Sequence, residues 1–232
     1  MPDRVTILTG AGGGIGRALA KLLAHRGHSI VLVGRQRALL ESTAEYCGGT
    51  VRVVPADCVD DAAARAVVDE AMDAFGRVDA LVNGAGYAPL VGIAETSEAL
   101  LAEAFRINAL GPAALMRRCW PHFVAQRGGR IVNLSTLGTT DPFPGYFAYA
   151  AAKSALDSMT RSAAREGAAD GIVAFSINLG CVETPMLRAN FSVEQIPPER
   201  AHSPAAAAAF ILPFVDGARD AESGSCVPLH SP

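Results

Sequence analysis

The feature that most restricts this 232-residue chain is a run of glycines at the point where a strand gives way to a helix. The apolar stretch at residues 5–8 is followed at once by Thr9, Gly10, Ala11, Gly12, Gly13, Gly14, Ile15 and Gly16, and a helical stripe of Ile15, Leu19, Leu22 and Leu23 begins inside the run. Glycine tolerates positive φ and has no side chain to hold a ligand away. A turn of this kind therefore lets a pyrophosphate lie on free backbone amides at the positive end of a helix. An isolated glycine pattern this short is weak evidence; the strand before it and the helix after it make Gly10, Gly14, Ile15 and Gly16 candidates for dinucleotide contact.

The same alternation continues down the chain. Short β-branched runs at 30–33, 51–54, 80–82, 130–134 and 172–177 are separated by patterns of helical period. Strict alternation of strand and helix implies βαβ crossovers, hence an α/β, Rossmann-type doubly wound parallel sheet of about seven strands with helices on both faces. Ligands then bind outside the carboxyl ends of the strands. With 50% hydrophobic and 19% charged residues the chain can bury a sheet on both sides. Its length suits one domain, residues 1–232. Prolines 197, 198 and 204 break the rhythm, so 185–204 reads as a mobile loop or short helices, a candidate substrate loop.

Composition removes several classes of function. The net charge is −3 and the basic residues are scattered, which predicts no nucleic-acid partner. Cysteines 47, 58, 119, 181 and 226 are odd in number and form no CxxC, so neither a disulfide framework nor a metal site is expected, and a reducing cytoplasm fits. No run of about 18 apolar residues occurs, and the apolar segment 204–215 is too short to span, so no membrane partner is expected. A small molecule remains.

Two further patterns carry chemistry. Tyr149 and Lys153 stand four residues apart, on one face if both lie in a helix. A free tyrosine titrates at about 10, and a neighbouring ammonium favours phenolate. The plainer alternative is a buried tyrosine beside a snorkelling lysine. At the end of the second strand, where an acid about 20 residues past the glycines would bind an NAD ribose, stands Gly34, followed by Arg35 and Arg37. Guanidinium groups suit a 2′-phosphate, so NADP(H) is expected ahead of NAD(H), with Arg17 adding charge; the alternative is a solvated helix start.

The glycine spacing TGxxxGIG, the Asn83, Gly84, Ala85, Gly86 segment, the YxxxK at Tyr149 and residues 178–186, which follow PGxVxTxM with Leu179 for the proline, together resemble the short-chain dehydrogenase/reductase family. The likeness runs from residue 5 to about 186 and is nearest a carbonyl reductase branch similar to 3-oxoacyl-carrier-protein reductases. It implies hydride transfer between nicotinamide and a ketone or secondary alcohol, in the reductive direction. By the same resemblance Tyr149 is the proton donor, Lys153 binds the nicotinamide ribose and depresses the tyrosine pKa, and Asn108 holds a water. Asp57 and Cys58 contact adenine, although Asp57 could equally be a helix cap; Asn83, Gly84 and Ala85 line the cofactor, and Gly180, Val182 and Thr184 flank the nicotinamide.

The resemblance has departures. The family serine, which orients the carbonyl, falls by spacing on Thr136, with Ser135 taking the role if the strand is bulged. Cys181 reads as a small buried filler. The expected final strand is absent, with 224–229 in its place, so a homotetramer is in doubt and a homodimer through the central helices is the simpler expectation. Met186, Leu187, Phe191, Ile196, Phe143, Tyr146 and Phe147 suggest an apolar pocket. The competing readings are an NADP sensor without turnover and an epimerase or dehydratase of the extended relatives.

Overall fold

Every strand run read from the sequence becomes a strand of a single sheet in the computed structural model, which describes residues 4–48, 50–57 and 60–232. The strands are β1 (Val5–Thr9), β2 (Ser29–Gly34), β3 (Val51–Pro55), β4 (Ala80–Asn83), β5 (Gly129–Thr136), β6 (Ile172–Leu179) and β7 (Cys226–Leu229). Their order is β3-β2-β1-β4-β5-β6-β7, parallel at every pairing. The order reverses between β1 and β4, which opens a crevice beyond their carboxyl ends.

Alternation along the strands sends successive side chains to opposite faces, and helices cover both. Ile7, Val31, Val33, Leu81, Ile131 and Ala174 pack beneath α3 (Asp61–Phe75), α5 (Gly111–Gln126) and α6 (Phe147–Gly167). Leu8, Leu32, Val82, Val132, Phe175 and Ile177 pack on the other side with α1 (Gly14–His25) and α8 (Pro204–Asp216). The remaining helices are α2 (Arg37–Glu45), α4 (Glu98–Phe105) and α7 (Pro185–Asn190). The result is one domain, a doubly wound sheet with helices on both faces.

The C-terminal expectation is corrected: residues 226–229 do form a seventh strand, in register with β6 from Ser176↔Cys226 to Leu179↔Leu229. The prolines and small residues hide it from a pattern search, yet the edge position tolerates them. Amides of Ser176 and Gly180 donate to the carbonyls of Ser225 and Leu229, so Pro228 is out of phase and turns its nitrogen to the open edge.

The segment 185–204 takes the short-helix alternative, with helical turns at Pro185–Asn190 and Pro198–Arg200 joined by irregular stretches. Pro185 and Pro204 occupy first turns of α7 and α8, capped by Thr184 and Ser203, whose hydroxyls accept from Leu187 N and Ala206 N. Between them Arg188 donates to the carbonyls of Ser192 (3.0 Å) and Ile196 (2.9 Å) and pairs with Glu183. A further difference concerns helix length. α4, a five-residue π-turn and α5 run on as one helix, Glu98–Gln126, long and apolar enough to cross a membrane, but here docked on the sheet with α3 and α6.

Gly16 gives a test of how tightly β1 meets α1. Alanine normally improves a helix by about 1 kcal/mol over glycine. A Cβ here would stand 2.2 Å from the Gly10 carbonyl oxygen. Gly16→Ala is expected to destabilise the fold by about 1–3 kcal/mol, read as a lowered urea midpoint with unchanged slope.

Candidate active site

The crevice is built first from backbone. Gly10 has φ 70°, and a Cβ there would lie 2.6 Å from the Gly84 oxygen and 2.8 Å from the Ala85 nitrogen. Gly84 returns the constraint, since its own Cβ would lie 2.7 Å from the Thr9 carbonyl oxygen. At this crossing neither position leaves room for a side chain. Thr9, which sequence reasoning did not single out, bridges the two turns: its hydroxyl accepts from Gly84 N (3.0 Å) and Ala85 N (3.1 Å). Its sequence signals were its place at the end of a strand and at the head of the TGxxxGIG spacing.

Beyond this contact the helix start offers itself to an anion. α1 begins after Gly13 with no side-chain cap, so its first amides face the crevice without a competing oxygen from a capping residue. Ile15 packs into the core behind them. Gly14, at φ 51°, sits so that a Cβ would come 3.0 Å from the Thr184 methyl, which brings the glycine turn against the start of α7.

Around the far end of the crevice, Gly34 closes β2 and Arg35 and Arg37 are exposed, with Arg37 3.5 Å from Glu41. Arg17 is committed elsewhere: it donates to Thr43 Oγ1 and to the Gly12 carbonyl, both at 3.2 Å, tying α2 to the glycine turn. Asp57 lines a small cavity with Thr9, Asn83, Ala85 and Ile107. It is not a helix cap, because Asp60 takes that role by accepting from Ala63 N at 2.8 Å. Cys58 lies outside the described residues.

Asn83 turns its side chain into the sheet. It donates to Asn133 Oδ1 (2.8 Å), and Asn133 donates to Thr160 Oγ1 (2.8 Å), a buried polar rung from β4 through β5 to α6. Asn108 lies within the π-turn Arg106–Leu110, a geometry that commonly marks functional positions. Its Nδ2 donates to the carbonyls of Tyr87 (2.7 Å) and Ala104 (2.9 Å), and its Oδ1 accepts from Tyr87 N (3.1 Å). Both donors are used, so the side chain shapes the loop after β4 and keeps only one lone pair free.

Lys153 is 3% exposed and donates to the Leu134 carbonyl at 2.7 Å. Asn108, Lys153 and Met186 meet at Gly86: a Cβ on that glycine would lie 3.3 Å from Asn108 Oδ1, 3.6 Å from Met186 Cε and 3.9 Å from Lys153 Nζ. Tyr149, one turn before Lys153 on α6, is partly exposed and stacks edge-on with Tyr146 at 5.2 Å.

The electrostatics differ from the expectation of a lysine-depressed phenol. Desolvation of the phenol pushes Tyr149 above the ordinary tyrosine range although the residue is partly exposed, with the Thr136 hydroxyl pulling the other way. Burial lowers Lys153 to about 8, partly offset by Asp157. Desolvation penalises whichever form carries charge, so a phenol and an ammonium enclosed together move toward their neutral forms.

β5 keeps an unbroken register through Ser135↔Asn178 and Thr136↔Leu179, so no bulge brings Ser135 round. Its hydroxyl is buried without a hydrogen-bond partner, on the face away from Tyr149. Thr136 is the hydroxyl that acts on Tyr149.

On the other wall, Gly180 packs against the C-terminal tail, a Cβ there lying 2.6 Å from Ser231 Oγ, and not against the crevice. Val182 is buried, Thr184 faces Gly14, and Cys181 is half-exposed instead of buried. Phe143, Tyr146 and Phe191 form an edge-packed aromatic group. Asn190, also missed from sequence, secures it by donating to Tyr146 Oη (3.2 Å) and the Ala88 carbonyl (2.7 Å).

The chain is similar in sequence and fold to known proteins. The description of the short chain dehydrogenase family matches residues 4–195. An uncharacterized oxidoreductase of Staphylococcus epidermidis is 32% identical over 184 residues, 79% of this chain and 80% of its own. A fatty acyl-CoA reductase of Acinetobacter baylyi is 30% identical over 189 residues, 79% of this chain and 64% of that longer protein.

Among solved structures, levodione reductase superposes with TM-score 0.92 at 25% identity, covering 99% of this chain and 97% of the other. The 3-ketoacyl-(acyl-carrier-protein) reductase from Brucella melitensis, complexed with NADH, superposes with TM-score 0.90 at 28% identity, covering 97% and 96%. Because the sequence match takes in the glycine turn, the Tyr149 and Lys153 helix and every strand through β6, the chain belongs to the short-chain dehydrogenase family of oxidoreductases.

Proposed function

We propose that this protein is an NADP(H)-dependent carbonyl reductase that interconverts a ketone and a secondary alcohol. The observation that carries the reading is the meeting of Asn108 and Lys153 at Gly86, after β4, with Tyr149 one turn before Lys153 on α6 and the Thr136 hydroxyl at the end of β5 acting on it. The residues present fit a dinucleotide: glycine backbone at an uncapped helix start would hold the pyrophosphate, Asp57 the adenine end, and Val182 and Thr184 the nicotinamide end. When bound, the nicotinamide supplies or accepts the hydride.

Tyr149 does the proton work. With its phenol held neutral by burial, it is suited to give a proton to the carbonyl oxygen of a substrate, which favours the reductive direction. Thr136, whose hydroxyl already acts on Tyr149, orients that oxygen. Lys153, fixed by the Leu134 carbonyl, carries positive charge at neutral pH beside the developing oxyanion. Asn108 holds the Tyr87 backbone that floors the pocket. The aromatic group of Phe143, Tyr146 and Phe191 supports an apolar substrate, and 185–204, braced by Arg188, is the segment that closes over it.

NADP over NAD is supported by Gly34 in the place of a ribose-binding acid and by two exposed arginines. A homodimer is supported by an apolar groove on α5 and α6 lined by Met116, Trp120, Pro121 and Met159, with Arg117 and Glu166 at its margins. Unpaired thiols at Cys47 and Cys119 suit a reducing cytoplasm.

Two measurements test the reading. NADPH oxidation against a panel of apolar ketones should fall about 10²–10⁴-fold in Tyr149→Phe, with NADPH affinity nearly unchanged. It should also decline in the wild type as pH rises past about 8, where Lys153 loses its proton. Turnover that survives Tyr149→Phe would sink the mechanism, and NADPH binding with no turnover on any substrate would favour the sensor. In fluorescence titrations NADPH should bind more tightly than NADH, and Arg35→Ala with Arg37→Ala should weaken NADPH by about tenfold or more while sparing NADH.

A further inference from the structure

Behind the site lies a buried carboxylate that the mechanism above does not use. Asp157 follows Lys153 by one turn of α6 and Tyr149 by two, so the three share a helix face. It is 4% exposed. It accepts from Ser176 Oγ and, at 3.0 Å, from Asn178 Nδ2, and the Cys226 thiol of β7 points to it. Asn178 continues the contact toward the site, donating to the Thr136 carbonyl (3.2 Å) and Thr139 Oγ1 (2.9 Å). One donor on each oxygen suits a carboxylate, which only accepts.

A buried anion needs a cation, and its surroundings hold two candidates. Arg161, one turn further along α6, is exposed and donates to Cys226 Sγ at 3.4 Å. Lys153, one turn before it, is as buried as Asp157 itself and is pulled toward the charged state by it. The other groups around the ammonium are the Leu134 carbonyl of β5, Asn108 of the π-turn and the Gly86 backbone; none carries a charge. Asp157 is therefore the charged partner that the interior provides for Lys153.

We infer that Asp157 is a positioning residue for the reaction, the buried counter-charge one helical turn from Lys153 that favours its ammonium form. The inference rests on the proposed role of Lys153, but the experiment reads Lys153 itself, so its failure and the failure of the catalytic reading show separately. The chain has two lysines, Lys21 and Lys153, so a protein labelled with carbon-13 lysine gives one signal from the site and one internal reference.

Asp157→Asn suits the purpose. Its amide oxygen can accept from Asn178 while the Ser176 hydroxyl, able to donate or accept, takes the amide hydrogen, so the shape and contacts persist and the charge alone goes. The Lys153 midpoint, about 8 in the wild type, should fall by about one pH unit or more while Lys21 stays put, and the alkaline limb of the NADPH-oxidation profile should move down with it. A Lys153 midpoint unchanged in folded Asp157→Asn overturns the inference. If that variant does not fold, Asp157→Ser is titrated in the same way: a lowered midpoint supports the counter-charge, an unchanged one refutes it.

Discussion

Two backbones pass each other at the carboxyl end of the sheet with no room for a side chain between them. Gly10 and Gly84 each leave space that even a methyl group would overfill, and the Thr9 hydroxyl fastens the pair by accepting both amides after β4. Everything that makes the crevice useful follows from this approach. It sets the start of α1 beside the loop that carries Gly86, and Gly86 is where Lys153 and Asn108 converge. The strand order reverses at the same place, so helices diverge to opposite faces and leave the opening that a dinucleotide requires.

Beneath the crevice, polar side chains do structural work that apolar packing cannot. Asn83, Asn133 and Thr160 join β4, β5 and α6, while Ser176, Asn178 and Asp157 join β6 to the same helix. Buried polar groups of this kind are costly unless paired, and paired they admit few alternative arrangements. α6 is thereby fixed in rotation about its axis, which turns Lys153 toward Gly86 and Tyr149 toward Tyr146.

The combination also explains why electrostatics ran against expectation. A lysine near a tyrosine favours phenolate in water, but enclosure penalises charge on both groups, and the ammonium is turned onto the Leu134 carbonyl. A neutral phenol beside a still-charged ammonium is an arrangement for donating a proton to an oxygen that is gaining charge. Asn108 likewise proved to be a bracket for the Tyr87 backbone, its donors fully engaged.

Local chemistry was legible in the chain. The six early strands follow from short β-branched runs, the helices from apolar stripes of period 3.6, and the glycine turn from the absence of side chains, all properties of residues close in sequence. Along β5 the alternation of neighbouring side chains separates Thr136 from Ser135, a distinction that spacing alone left open. What only the tertiary structure decided involves partners distant in the chain. β7 exists because β6 offers it a ladder, Gly180 is glycine because the tail crosses it, and Thr9 matters because β4 lies beside it. The protonation of Tyr149 and Lys153 depends on how much water the whole fold removes from around them, a quantity to which α6, β5, β6 and the loop after β4 all contribute and which no stretch of sequence carries alone.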